Sequence, residues 1–200
     1  MPAYIAFEGP EGCGKSTQAA LLAERLGAVL TRETGGTDIG ERLRSILHDV
    51  SVDDLDPRSE ALMIAADRAQ HLSRVVRPNL EAGRHIVSDR SVYSSLAYQG
   101  YGRGLDLSTL RSINEWATNG CWPDLVILLE VPEAVLARRL RARDLDRFER
   151  EGADFHRRVA EGFAAMAAAD PTTWVVVDAT KDPQVVGATI AEAVSDRLGW

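Results

Sequence analysis

Gly9-Pro10-Glu11-Gly12-Cys13-Gly14-Lys15-Ser16-Thr17 is the stretch that decides the fold of this chain. It satisfies G-x-x-x-x-G-K-[ST], the P-loop pattern, in which a glycine-rich turn joins a strand to a helix and wraps around phosphate. Each residue type has a physical reason. The glycines let successive backbone N–H groups turn inward, where side chains would crowd the anion. A helix starting near Lys15 adds the positive end of its dipole. Lys15 can reach the β- and γ-phosphates of a nucleoside triphosphate, and the Ser16 hydroxyl suits Mg²⁺. The flanks agree, with an apolar run at residues 4–7 before the loop and a helical period over 15–26 after it. All of Gly9 to Thr17 is therefore assigned to ATP binding.

Outward from this loop, short apolar runs alternate with longer segments of helical period. Strands are expected at residues 4–7, 28–31, 85–88, 125–129 and 174–177. Helices are expected at 15–26, 38–47, 58–81, 107–118, 133–143, 153–169 and 183–197. Pro78 should kink the third helix or end its regular part. The pattern predicts an α/β fold of the P-loop NTPase type, with five parallel strands and helices on both faces. The 200 residues fit one domain. In such sheets ligands bind beyond the carboxyl ends of the strands.

Composition narrows the partners. A net charge of −7, with 45% hydrophobic residues, argues against a nucleic-acid or membrane-surface binder. An acidic protein with an anionic ligand must concentrate its cations locally. No signal-peptide pattern or membrane-length apolar run occurs, so the expected location is the cytoplasm. Cys13 and Cys121 match neither a disulfide framework nor paired zinc ligands, and the four histidines lie far apart in sequence.

The P-loop alone leaves the reaction open. A guanine-reading N-K-x-D element is absent from the sequence. The third strand ends in Ser88-Asp89-Arg90, a carboxylate followed by a cation rather than the acidic pair expected of a motor ATPase. A guanidinium beside the cradle suits a second anionic substrate better than an attacking water. The sequence also lacks an obvious Ser-His-Asp or Cys-His constellation. Phosphoryl transfer to a phosphate oxygen needs none, because that nucleophile is already ionised. It needs cations that hold two polyanions in line. A catalytically silent nucleotide-binding switch is the rival from another class, and a different nucleotide or deoxynucleoside kinase the nearest enzymatic one.

Further motifs combine with the loop: Phe7-Glu8-Gly9, the run 31–37 (Thr-Arg-Glu-Thr-Gly-Gly-Thr), Ala66-Asp67-Arg68, Asp89-Arg90, and Ser94-Ser95-Leu96-Ala97-Tyr98-Gln99-Gly100. Together they closely resemble the thymidylate kinase family over nearly the whole chain. The resemblance implies an ATP- and Mg²⁺-dependent kinase that converts dTMP to dTDP in dTTP biosynthesis, usually as a homodimer. It places Arg90 on the dTMP phosphate, and Asp89 with Ser16 near the metal. Arg68 then contacts the acceptor nucleotide, Glu8 lies near its sugar and phosphate, Tyr98 packs on the deoxyribose, and Ser95 and Gln99 lie near the base or on the site wall. Three positions depart from the family pattern. Thr34 stands where proline is usual, and Ser91 where an aromatic or histidine follows the Asp-Arg pair. Ile64 occupies the place of a phenylalanine that stacks on thymine, so it can cover the base but not stack ring on ring.

Residues 138–150 form the densest cationic stretch of the chain. The resemblance makes the segment at about 141–152 a lid over ATP. Because Pro10, Glu11, Gly12 and Cys13 include no cation, the chain resembles the class with glycine in the loop and arginines in the lid. Arg143 and Arg147 are the candidate catalytic arginines, alongside Lys15 and Arg90.

Overall fold

The computed structural model describes residues 1–140 and 145–199. Strand β1 (Tyr4–Glu8) lies at the centre of a five-stranded sheet ordered β2-β3-β1-β4-β5. Here β2 is Val29–Arg32, β3 Ile86–Asp89, β4 Leu125–Glu130 and β5 Trp174–Asp178. All four neighbouring pairs are parallel. The helices are α1 (Lys15–Leu26), α2 (Asp38–His48), α3 (Pro57–His71), α4 (Arg77–Glu81), α5 (Val92–Ser95), α6 (Leu107–Thr118), α7 (Glu133–Leu140), α8 (Ala153–Ala169) and α9 (Pro183–Leu198). Among the described residues no helix is long and apolar enough to cross a membrane.

Strand periodicity divides the core in two. Ile5, Phe7, Leu125, Ile127 and Leu129 point to one face, where they pack with Leu22 of α1 and Ile190 of α9. Val126 and Leu128 point to the other and meet Phe155, Val159 and Phe163 of α8. A strand buried on both faces therefore reads as a continuous apolar run. Phe163, 1% exposed, is packed tightly enough that truncation to alanine should cost about 3–5 kcal/mol.

Two segments differ from the sequence expectation. The helix expected over 58–81 is three pieces: α3, a wider π-helical stretch at Leu72–Val76, and α4. Pro78 sits in the first turn of α4, where it lacks an N–H to continue the ladder. More important for the site, residues after Arg90 form a helix that the sequence did not suggest. It runs through α5 into a π-helical stretch at Leu96–Gly102. Gly100 and Gly102 look like breakers but serve packing. A Cβ on Gly100 would lie 2.4 Å from Leu107 Cδ2, and one on Gly102 2.6 Å from Phe155 Cε2. Of the helix expected over 133–143, the part up to Leu140 is described.

Candidate active site

Beyond Glu8 the loop turns with Gly9, Gly12 and Gly14 at φ of 139°, 77° and 104°, values that side chains disfavour. A Cβ on Gly9 would also come within 2.7 Å of the Leu129 carbonyl oxygen. Lys15 Nζ donates to the carbonyls of Gly9 (3.1 Å) and Pro10 (2.8 Å). From the outer side, Arg139 of α7 donates to the carbonyls of Gly12 (3.2 Å) and Cys13 (3.3 Å), and to Ala179 (3.1 Å). A trans peptide puts C=O and N–H on opposite sides, so these contacts leave the N–H groups of Cys13 and Gly14 facing away from Arg139. The sequence reading did not single out Arg139.

The loop opens onto a cavity of about 500 Å³. Glu11, Gly12, Gly14, Lys15, Ser16 and Thr17 line one part of it, and Ile64, Arg68, Asp89, Arg90, Ser95, Tyr98 and Gln99 line the remainder. Gly9, Pro10 and Cys13 are not on its wall; Cys13 is buried in the core against α1 and β4.

Sheet register builds the junction between these parts. Phe7 pairs with Asp89, and Arg32 pairs with Asp89 from the other side. Asp89 Oδ2 accepts from Ser16 Oγ at 2.5 Å. Arg90 follows with φ of 77°, an uncommon backbone state for a non-glycine residue. Its N–H donates to the Phe7 carbonyl at 2.9 Å, which anchors that conformation. The guanidinium pairs with Glu11, donates to Ser94 Oγ (3.0 Å) and Tyr98 OH (3.0 Å), and lies 3.9 Å from Glu8 Oε2. It also stands 5.0 Å from the centre of the Tyr98 ring. Burial opposes ionisation of Glu11, but Arg90 and Lys15 outweigh it and hold the carboxyl well below the ordinary range.

Glu8, expected near the acceptor, stands behind the wall instead and is fully buried. Its carboxyl accepts from the N–H (2.8 Å) and hydroxyl (2.8 Å) of Ser91 and from the N–H (3.2 Å) and hydroxyl (2.6 Å) of Ser94. It therefore sets the start of α5. Burial pushes its carboxyl up despite Arg90 and these hydrogen bonds.

Arg68 is 1% exposed. It donates to Glu33 Oε2 (2.7 Å), Ser95 Oγ (2.9 Å), Asn114 Oδ1 and the Ser91 carbonyl (3.0 Å). Glu33 also bonds His71 Nδ1 at 2.9 Å. Burial would raise the Glu33 carboxyl, but Arg68 and His71 prevail and lower it. Ile64 is buried on the cavity wall. Gln99 donates through Nε2 to Glu60 Oε1 at 2.8 Å.

A family model described as thymidylate kinase matches residues 7–190. The chain belongs to the thymidylate kinase family. It is 47% identical over 200 residues to a thymidylate kinase of Synechococcus sp. (strain JA-2-3B'a(2-13)), covering 98% of this chain and 95% of that one. It is likewise 47% identical over 203 residues to one from Thermomicrobium roseum, covering 98% and 96%. The crystal structure of thymidylate kinase from Ehrlichia chaffeensis superposes with a TM-score of 0.81 at 30% identity, covering 96% of this chain and 98% of that one.

The lid reading of this family member is only partly within view. Arg143 lies outside the described residues. Arg147, expected to face the nucleotides, instead donates to the Leu47 carbonyl (2.8 Å) and Glu60 Oε2 (2.6 Å) and is not on the cavity wall. A buried carboxylate and a helix-end carbonyl together outbid solvent for its guanidinium. Its neighbours Asp146, Phe148 and Glu149 do line the cavity, and Asp146 pairs with His48 at 2.7 Å. Arg44 also lines the cavity and donates to the Thr34 carbonyl at 3.2 Å, and the sequence reading missed it. A signal was present: Gly40, Arg44 and Leu47 share one face of α2 at i, i+4 and i+7 spacing, and Gly40 and Leu47 are buried.

Proposed function

We infer that the chain phosphorylates dTMP to dTDP with ATP as donor, the activity of its family. The observation that carries this reading is the single cavity, with a P-loop on one part of its wall and Arg90, Arg68 and Arg44 on the remainder. Such a space brings two anionic substrates together on one rigid strand-end scaffold.

In this reading the loop from Gly9 to Thr17 wraps the ATP phosphates and Lys15 contacts the β- and γ-phosphates. Arg90 holds the dTMP phosphate, with its left-handed backbone turning the side chain back over the loop. Arg68 contacts the acceptor nucleotide near its base, since its own hydrogen bonds join Ser91, Ser95 and Glu33. Ile64 covers the base and Tyr98 packs on the deoxyribose, while Ser95 and Gln99 stand near the base edge. Glu8 acts through Ser91 and Ser94 rather than by touching substrate. Arg143 and Arg147 are the lid arginines to be tested for charge stabilisation, Arg147 after release from Glu60.

Ser16 and Asp89 offer adjacent hard oxygen donors, a set that fits Mg²⁺ and would hold it at the loop. When bound, the ion supplies charge neutralisation between the phosphates. The residues' own work is to bind, align and desolvate. No general base is required, because the acceptor oxygen is ionised at neutral pH.

We place the protein in the cytoplasm as a homodimer. The face built by α3 and α6 supports the second copy. Leu62 is 55% exposed and Trp116 85% exposed there, beside Ala65, Ala66, Ala69 and Ile113. An apolar surface of that kind is a liability unless covered.

A coupled assay of ADP release over dTMP, dUMP, UMP, CMP, AMP and GMP tests the assignment. dTMP should give the highest kcat/KM. Nucleotide binding without any monophosphate-dependent ADP release would instead identify a silent switch protein.

A further inference from the structure

The phosphate loop is built from residues that hold no single shape by themselves. The peptide joining Gly12 to Cys13 and the one joining Cys13 to Gly14 each border a glycine, and both glycines lie at positive φ (77° and 104°). Glycine moves between backbone states at little steric cost, so either peptide can turn over. A turned peptide would aim a carbonyl oxygen, instead of an N–H, at a phosphate. Carbonyls elsewhere in the loop have partners close in sequence. Lys15 Nζ takes those of Gly9 and Pro10, and the Gln18 N–H takes that of Gly14 at 3.1 Å. The Gly12 and Cys13 carbonyls are held from outside by Arg139, whose Nη1 lies 3.2 and 3.3 Å from them.

Arg139 has the footing to act as a fixed point. Leu136, one turn earlier on α7, packs against the core, and i, i+3 spacing puts Arg139 on the same face. Its Nη2 donates at 3.1 Å to the Ala179 carbonyl, and the Ala179 N–H donates at 2.9 Å to the Glu130 carbonyl at the end of β4. The guanidinium is therefore braced by the ends of β4 and β5 while it grips the loop. Its donors are rigidly spaced in one plane, so a single group serves all three carbonyls. Arg139 does not line the cavity, and its route to a nucleotide phosphate runs through the loop backbone.

We propose that Arg139 is a positioning residue for the donor phosphates: by holding the Gly12 and Cys13 carbonyls outward, it keeps the N–H groups of Cys13 and Gly14 turned toward the phosphate site before nucleotide arrives. This rests on the kinase reading in taking the loop as the seat of ATP, and it does not involve the acceptor. A cation on the two carbonyl oxygens also polarises their peptides, which strengthens the N–H groups as donors. A nest held ready in this way should bind a bare polyphosphate without base or sugar.

Calorimetric titration of inorganic tripolyphosphate, ATP and dTMP tests the proposal. Arg139→Ala should weaken tripolyphosphate and ATP by the same factor, at least about fivefold, with dTMP affinity unchanged within about twofold. Arg139→Lys keeps the charge but loses the planar fork, and should stay at least about threefold weaker than wild type for both anions. It also serves as the comparison if the alanine variant does not fold. Backbone amide resonances of Cys13 and Gly14 should move on adding tripolyphosphate to the wild type and move less in either variant, a signature that lost stability alone does not produce. Unchanged tripolyphosphate affinity in a folded variant overturns the proposal, whatever its melting temperature. Weakening confined to ATP overturns it by placing Arg139 on the base or sugar, and an equal loss for dTMP does so by revealing general damage. Full recovery by Arg139→Lys overturns it too, leaving only the field of a charge. Wild-type protein that binds ATP but not tripolyphosphate shows that the loop is not preformed. Each of these results leaves the kinase reading intact, whereas wild-type protein that binds no ATP overturns both.

Discussion

Arg90→Ala separates the acceptor site from the nucleotide loop. The guanidinium is already committed within the protein: it pairs with Glu11, donates to Ser94 and Tyr98, and lies over the Tyr98 ring. Two consequences follow from its loss, and they can be told apart. The first is stability. Stranding one partner of a buried ion pair costs about 3–5 kcal/mol, and the lower end applies because the Glu11 side chain keeps 25% exposure. Changing Glu11 to Gln in the same protein removes the stranded charge and should restore most of that loss. The second is catalysis. A charge-assisted contact to the acceptor phosphate is worth about 1.5–3 kcal/mol, so kcat/KM for dTMP should fall about 10- to 150-fold. Arg90 touches the loop backbone at one point, the Gly9 carbonyl at 3.3 Å, so calorimetric ATP affinity should change by less than about threefold. The assay is ADP release against dTMP concentration at saturating ATP, with thermal unfolding alongside. The Arg90→Ala/Glu11→Gln protein should regain its melting temperature without regaining turnover. Near-normal kcat/KM for dTMP in either folded variant would falsify the phosphate assignment.

Three further outcomes are expected. Ile64→Phe should tighten dTMP binding by up to about 1 kcal/mol through ring stacking, and Ile64→Asp should weaken it by charging an apolar wall; calorimetric affinities unchanged in both would remove Ile64 from the base site. The Glu33 carboxyl is held below its ordinary value of 4.5, so the unfolded chain binds the extra proton: its contribution is full above about pH 4.5 and is lost as acidification passes the folded-state value. Glu33→Gln should therefore lower the melting temperature at pH 7 by more than at about pH 3.5, and an equal drop at both contradicts the lowered carboxyl. Arg143→Ala should slow the single-turnover step by up to about 10³ with a smaller effect on ATP binding, as for a contact made in the transition state. If the chemical step is unchanged in both Arg143→Ala and Arg147→Ala, the cationic stretch is a solvated helix end.

What was legible in the sequence was what is local. The loop from Gly9 to Lys15 could be read because phosphate binding demands particular residues at fixed spacing, and its three glycines have positive φ. The parallel sheet could be read because a strand covered on both faces is written as an uninterrupted apolar run. Glu8 marks the limit of that method. It was expected beside the acceptor's sugar and phosphate, but its carboxyl binds Ser91 and Ser94, and that depends on β1 lying beside β3. The helix after Arg90 was missed for a related reason. Gly100 and Gly102 were free to mean a turn until Leu107 and Phe155 closed in on them. Long-range packing chose between two meanings that one sequence leaves equal.

Charged residues on buried helix faces were the signal most often passed over. Arg44, Glu60 and His71 join Arg68, which was singled out, where apolar side chains would be expected, and each bonds a residue distant in sequence. Their arrangement resolves a difficulty raised by the composition. A protein of net charge −7 gathers Lys15, Arg32, Arg44, Arg68 and Arg90 around one cavity. Without substrate that cluster would repel itself in a partly desolvated space. The carboxylates answer the repulsion in place: Glu41 on Arg32, Glu33 on Arg68, Glu11 on Arg90. The pairs differ in a way that bears on binding. Glu33 and Arg68 are both nearly inaccessible, so that pair is permanent scaffolding and fixes a guanidinium plane on the cavity wall. Glu11 and Arg90 are partly exposed on the cavity wall, so an arriving phosphate can compete for the same guanidinium. Burial of the partner carboxylate thus separates an arginine held as scaffold from an arginine left able to exchange its partner.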